Sequence, residues 1–170
     1  ITLRNCAAGV MVTASHNPKD DNGYKVYWDN GAQIISPTDE HIAKAIDANL
    51  KPWDGLVFDE QAVRSHPQVA DPLEETIDNY YSQIREKYCF TPESNPSASL
   101  KVTYTAMHGV GCEWTRRAFE SFDLPPFIPV KEQVEIDPEF PTVPFPNPEE
   151  GRGALALSIA TADANDSPLI

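Results

Sequence analysis

Thr13-Ala14-Ser15-His16-Asn17-Pro18-Lys19 places a hydroxyl, an imidazole, an amide and an ammonium group within one short run, and Asn22-Gly23-Tyr24-Lys25 adds a turn and a second ammonium group close behind. The run directly follows the apolar Gly9-Val10-Met11-Val12, so these groups stand at a strand end, where α/β proteins place ligands. A serine hydrolase needs a base facing the nucleophile, usually at a G-x-S-x-G elbow. Here Ala14 and His16 flank Ser15, and adjacent side chains on an extended segment point apart. A Walker cradle needs G-x-x-x-x-G-K-[ST], which is absent. The remaining chemistry is a serine that carries a phosphoryl group, with Lys and His neutralising phosphate oxygens, because phosphoryl transfer is mainly positioning and electrostatic stabilisation. On the residues alone, a polar connector between strands stays an open alternative.

Charge favours the phosphoryl reading locally. The 170 residues carry 13 Lys plus Arg against 26 Asp plus Glu, a net charge of −13. Such a balance argues against nucleic acid as a partner, because backbone affinity needs clustered cations. Yet Arg4, Lys19 and Lys25 match Asp20, Asp21 and Asp29 before Ser36, so the acidity lies beyond the serine segment. Cys6, Cys89 and Cys112 are scattered and make neither a disulfide framework nor a zinc spacing. No apolar run reaches the length of a membrane span and no charged n-region precedes an apolar h-region, which predicts no membrane partner and a cytoplasmic location. Asn165-Asp166-Ser167 matches the glycosylation sequon, a chance match in such a setting. The start on Ile1 and the stop at Pro168-Leu169-Ile170 read as an internal piece of a longer protein.

The elements that must position the loop follow from pattern. Residues 9–13, Tyr24 to Trp28 and Ala32 to Ile35 are β candidates, the last two joined by Asp29-Asn30-Gly31 as a hairpin. Ser36 as N-cap, Pro37 at the first helical position and Asp39 at N3, with Ile42, Ile46 and Leu50 behind them, predict a helix over 37–49. A looser stretch with Trp53, Gly55 and Pro67 leads to Asp71-Pro72. After this cap, Leu73, Ile77, Tyr80, Tyr81, Ile84 and Tyr88 recur at helical spacing as a core face. The polar run Thr91–Ser99 marks a domain boundary. Leu100, Val102 and Tyr104 alternate with polar residues as a strand ending at His108-Gly109-Val110-Gly111, and Trp114 to Phe122 form a helix, the opening of an α/β unit. Eight prolines over 125–148 preclude regular helix and central strand and imply an extended connection. A last helix covers Gly153 to Ala164.

At the serine segment the chain resembles the α-D-phosphohexomutases, the phosphoglucomutase/phosphomannomutase superfamily. Thr13–Lys19 followed by Asp20-Asp-Asn-Gly-Tyr-Lys-Val-Tyr-Trp28 is similar to that family's active-serine loop. Gly31-Ala-Gln-Ile34, Ser36-Pro37, Lys101-Val102, Met107-His-Gly-Val-Gly111 and Pro146-Asn-Pro-Glu-Glu-Gly151 resemble the branch holding phosphopentomutase, phosphoglucomutase type two and the glucose-1,6-bisphosphate synthase. The serine loop is specific as a whole; the other pieces count through their order.

The resemblance implies a three-layer α/β/α fold with a mixed sheet, as parts of two successive related domains: residues 1–95, the later part of domain I, and 98–170, the beginning of domain II. It implies that Ser15 is the phosphorylated catalytic residue, giving its phosphoryl group to one sugar hydroxyl and recovering one from another through a sugar 1,6-bisphosphate intermediate. The Ser15 phosphate would also be a ligand of Mg²⁺, an ion suited to phosphoryl oxygens. Lys25 matches the loop lysine with a proton-transfer or charge-stabilising role, and His16 the histidine beside the phosphoserine. Asn17, Lys19 and Asn22 are the candidate phosphate or substrate contacts, Asn17 and Asn22 also shaping the loop. His108 reads first as a structural turn histidine, and His41 and His66 as surface residues. Glu149 and Glu150 suggest a metal pair, yet the family's metal ligands come from a D-x-D-x-D-R loop. That run is absent, and its expected place lies just past Ile170. The implied reaction moves a phosphoryl group between C1 and C6 or C5 of a hexose or pentose phosphate, with this piece inactive alone. Bisphosphate synthesis and a non-catalytic module derived from the fold are the alternatives.

Overall fold

The computed structural model describes residues 1–55, 59–150 and 152–170. Its contacts group the chain into two compact units, one of Ile1–Ser15 and Asn22–Asp71, the other of His16–Asp21 and Pro72–Ile170.

In the first unit, strands β1 (Ala8–Val12) and β2 (Tyr24–Trp28) pair antiparallel, with Val10 opposite Val26, Met11 opposite Lys25 and Val12 opposite Tyr24. Opposed residues share a face. Val10, Val12, Tyr24, Val26 and Trp28 therefore line one side, and Met11, Lys25 and Tyr27 the other. The expected strand over Ala32–Ile35 does not form. The chain turns at Gly31 (φ 78°), Ala32 N–H donates to Asn30 Oδ1 at 2.9 Å, and pairing shrinks to a bridge between Tyr27 and Gln33. The asparagine side chain takes the N–H that would start a ladder, and β1 is the main partner of β2.

Helix α1 (Thr38–Ala48) starts one residue later than its cap pattern predicts. Pro37 follows a cis bond and precedes the helix, and the Ser36 hydroxyl donates to the Glu40 carboxylate at 2.9 Å instead of capping a backbone N–H. Helix α2 (Glu60–Arg64) occupies the stretch with no predicted element and is capped by Asp59 Oδ1, which accepts from Ala62 N–H at 3.0 Å. Five residues are too few to show a period. Residues 56–58 of that stretch lie outside the described residues. No described residue of this unit is buried, and Val12 is 84% exposed.

The second unit holds the core. Helix α3 (Leu73–Tyr88) packs on α4 (Gly111–Ser121): Tyr81 Oη donates to the carbonyl of Trp114 at 2.6 Å, and Arg85 bonds the Ser121 carbonyl and the Asp123 carboxylate. The helix covers the predicted periodic positions, but its aromatic stripe is only partly a core face. Ile77, Tyr81 and Ile84 are half-buried, whereas Leu73, Tyr80 and Tyr88 stay exposed. Pro72 occupies the N-cap position rather than the first turn, so the helix starts one residue later than the Asp71-Pro72 pattern predicts.

Strand β3 (Thr103–Tyr104) pairs parallel with β4 (Ile128–Pro129), and Val102 bridges Leu169, also parallel, beyond α5 (Arg152–Ala164). Strand, helix, strand and helix thus alternate as an α/β unit should. Within the proline-rich segment, β4 is a two-residue strand at the edge of a two-stranded sheet, so the segment holds a short edge strand and no central one. Ile128 N–H donates to Val102 O at 2.8 Å and Val130 N–H to Tyr104 O at 3.0 Å, so the ladder uses the residues on either side of Pro129. A proline whose missing N–H would point away from the partner removes nothing. Val130 and Val143 are fully buried, joined by Phe127, Cys112, Ala154 and Ala162. The chain is α/β throughout, antiparallel in the first unit and parallel in the second.

Candidate active site

The serine loop connects β1 to β2. Thr13 N–H donates to Gly23 O at 3.0 Å, closing the loop at its base. A Cβ on Gly23 would stand 2.8 Å from the carbonyl oxygen of Thr13, so only glycine lets the two strands approach this closely. Ser15 is exposed and left-handed, with φ 60°, and its N–H donates to Thr13 Oγ1 at 2.9 Å. A left-handed serine costs roughly 1–2 kcal/mol. Lys25 lies on β2 opposite Met11, on the sheet face that continues to Thr13 and Gly23, with its stem half-buried. Ser15, Asn22 and Lys25 thus belong to one hairpin.

His16, Asn17 and Lys19 belong to the second unit. A turn closes there, Asp21 N–H donating to Pro18 O at 2.9 Å. Lys19 Nζ makes an ion pair with the carboxylate of Glu139. That hydrogen bond, then the carboxylate's charge, holds the Lys19 ammonium above its ordinary pKa of 10.5.

Glu139 sits on a braced segment. Its N–H donates to Asp137 Oδ1 at 2.9 Å, Phe140 N–H donates to Asp137 O at 3.1 Å, and Asp137 N–H donates to His108 O at 3.1 Å. His108 is 4% exposed, and its own N–H donates to Gln133 O at 3.1 Å. Its Nδ1 lies 3.2 Å from Glu135 O, and a carbonyl there requires an N–H on that nitrogen. Its Nε2 lies 2.9 Å from Thr142 Oγ1, which accepts from Gln133 Nε2 at 2.9 Å, so the threonine proton is directed to the imidazole. Gln133 Oε1 accepts from Thr105 Oγ1 at 2.5 Å. Every polar side-chain group of this chain is paired, from the buried His108 and Gln133 out to the exposed Thr142. His108 is structural, in line with the turn reading, and not a phosphate ligand. Glu139 and this network escaped sequence reasoning: Glu139 stands 120 positions from Lys19, and no local pattern joins them.

Among the described residues no three His, Cys, Asp or Glu side chains converge as a metal site. A phosphorylated Ser15 would offer Mg²⁺ phosphoryl oxygen, but the described side chains do not complete a coordination sphere. A concavity of about 320 Å³ under α4, lined by Arg116, Phe119, Leu124 and Phe127, contains none of the candidate residues. Among the described residues no helix is long and apolar enough to cross a membrane.

Residues 1–52 match a family model described as phosphoglucomutase/phosphomannomutase, alpha/beta/alpha domain I, and residues 78–170 match domain II of the same family. Gly151, which ends the Pro146–Gly151 motif inside that second match, lies outside the described residues. A phosphopentomutase of Homo sapiens is 50% identical over 99% of the chain and 27% of its own length. A glucose 1,6-bisphosphate synthase of Homo sapiens is 45% identical over 96% of the chain and 26% of its own length. The phosphoribomutase of Saccharomyces cerevisiae is 40% identical over 96% of the chain and 28% of its own length. The chain thus spans about a quarter of these curated relatives, at most 28%. Among solved structures, a putative phosphomannomutase from Thermus thermophilus aligns with a TM-score of 0.66 and 24% identity over 94% of this chain and 32% of that one, a likeness of fold.

Proposed function

The chain belongs to the phosphoglucomutase/phosphomannomutase family, and we propose that in its full-length protein it carries the phosphoserine of a cytoplasmic phosphosugar mutase acting on small hexose or pentose phosphates. The observation that carries this reading is Ser15, exposed and left-handed in a loop closed at its base by the Thr13–Gly23 hydrogen bond, with Lys25 on the strand that leaves that loop. A strained but braced backbone holds the hydroxyl out of the strand and toward a substrate.

In the proposed reaction the sugar hydroxyl attacks phosphorus, its new P–O bond forms, the bond from phosphorus to Ser15 Oγ breaks, and the hydroxyl proton ends on the serine oxygen. The bisphosphate turns over and its other phosphoryl group returns to Ser15 by the reverse step. Lys25 assists proton transfer or offsets charge on the moving group; His16 stabilises the phosphoserine, and Asn17, Lys19 and Asn22 hold the loop and the incoming phosphate. Mg²⁺, when bound, supplies charge neutralisation on the phosphoryl oxygens; of this chain, phosphorylated Ser15 would be its ligand. We also propose the two pieces as the later part of a first domain and, after the 91–99 run, the start of a second.

Identity to a glucose 1,6-bisphosphate synthase favours bisphosphate formation as the second reading. Ser15→Ala in the full-length protein tests both. Mutase or synthase turnover is expected to fall to background, with phosphopeptide mapping losing its signal at Ser15. Retained wild-type turnover sinks the assignment.

A further inference from the structure

We propose that Glu139 is a positioning residue for the serine loop: it holds the Lys19 ammonium from a segment locked onto the buried His108, so that the loop's Asn17–Lys19 limb is ordered before a sugar phosphate arrives. This rests on the mutase reading for its substrate but not for its geometry.

Two properties of the pair support it. An ammonium group has three N–H donors, so one bond to Glu139 leaves two for phosphoryl oxygens; the carboxylate therefore orients Lys19 without consuming it. A free lysine also loses much rotamer freedom when it is immobilised on a ligand, and a pre-held one loses less. The anchor is stiff where it has to be. On one side of Glu139, Asp137 N–H is bonded to the His108 carbonyl; on the other, the Thr142 hydroxyl meets the His108 ring. The carboxylate is thus suspended between two attachments to one buried residue, while its own side chain remains 70% exposed. An exposed ion pair adds little to stability, so its value lies in where it keeps Lys19.

The test uses the full-length protein with Glu139→Gln and Glu139→Ala, each alone and combined with Lys19→Ala. Turnover of glucose 1-phosphate, with glucose 1,6-bisphosphate as activator, and tryptic cleavage after Lys19 are measured. Glu139→Gln is expected to raise KM about three- to fivefold, within the range exposed ion pairs reach, with kcat within about twofold, and to change nothing further once Lys19 is alanine. Cleavage after Lys19 is expected to quicken about threefold, since trypsin must seize the side chain that Glu139 holds. An unchanged KM, an equal KM change with and without Lys19, or an unchanged tryptic rate would overturn the proposal. If the wild-type protein turns over no sugar phosphate, the mutase reading fails by itself, and the tryptic rate still decides whether Glu139 tethers the loop.

Discussion

Gly23 and Thr13 meet across the mouth of the serine loop with no room between them: the carbonyl oxygen of Gly23 accepts the Thr13 N–H at 3.0 Å, and a Cβ on Gly23 would lie 2.8 Å from the Thr13 carbonyl oxygen. Because Thr13 Oγ1 also accepts the Ser15 N–H, this contact sets the backbone that presents the nucleophile. Gly23→Ala must push the strands apart at the base of the loop. Misplacement of about 1 Å costs catalysis up to about a hundredfold, and a ten- to hundredfold fall in kcat/KM of the full-length protein is expected. Gly153→Ala, where an added Cβ meets nothing within 4 Å, is the control and leaves turnover unchanged.

The proline in β4 and the valine beside it should behave oppositely. Pro129→Ala removes no ladder bond, since Ile128 and Val130 supply the donors, and its effect should stay within about 1 kcal/mol. Val130→Ala empties a fully buried position and should cost about 2 kcal/mol or more. Native-state hydrogen exchange at the Ile128 amide distinguishes them, with loss of protection expected in the valine variant. Equal loss in the proline variant would mean that the pairing is wrongly described.

The His108 network predicts coupled losses. Gln133→Leu removes one of two partners from each of the Thr105 and Thr142 hydroxyls, and His108→Ala removes one of two from Thr142 and the imidazole from the Glu135 carbonyl, each change costing about 1 kcal/mol. Because each single change leaves Thr142 its other partner and only the double variant removes both, the loss in the double variant should differ from the sum of the singles. Urea unfolding of the three variants measures this; strict additivity would show that the chain is not one unit.

The signs of two pH effects follow from named partners. The Glu113 carboxyl lies below its ordinary 4.5, chiefly through the hydrogen bond from Arg117, with Arg116 adding to it. A depressed carboxylate contributes stability above its unfolded value and loses it as the pH falls through the folded value. NMR titration should place the Glu113 midpoint below 4.5, and Arg117→Met should move it up more than Arg116→Met. Lys19 is raised, so its contribution is complete below about 10.5 and is lost only as the pH rises past its folded value. The tether to Glu139 therefore does not weaken through Lys19 in neutral buffers, and the Lys19 midpoint should drop in Glu139→Gln.

The sequence by itself determined what depends on neighbours a few residues apart. The serine loop and its flanking strands, the helices over 38–48, 73–88 and 152–164, and the glycine turn before α4 were legible because capping, period and turn chemistry act over one or two turns of chain. Short-range signals also misled at the ends of elements, as where Asn30 used its side chain to stop the third strand and Pro37 stood just outside its helix. Tertiary structure decided the rest. Pro129 joins a ladder because Val102 and Tyr104 offer carbonyls only to its neighbours. His108 is structural because Glu135 and Thr142 close around it. Lys19 meets Glu139 because a network of hydrogen bonds folds back a segment 120 residues away. Such pairings arise from loop closure and burial, which have no period and leave no mark on the residues next door.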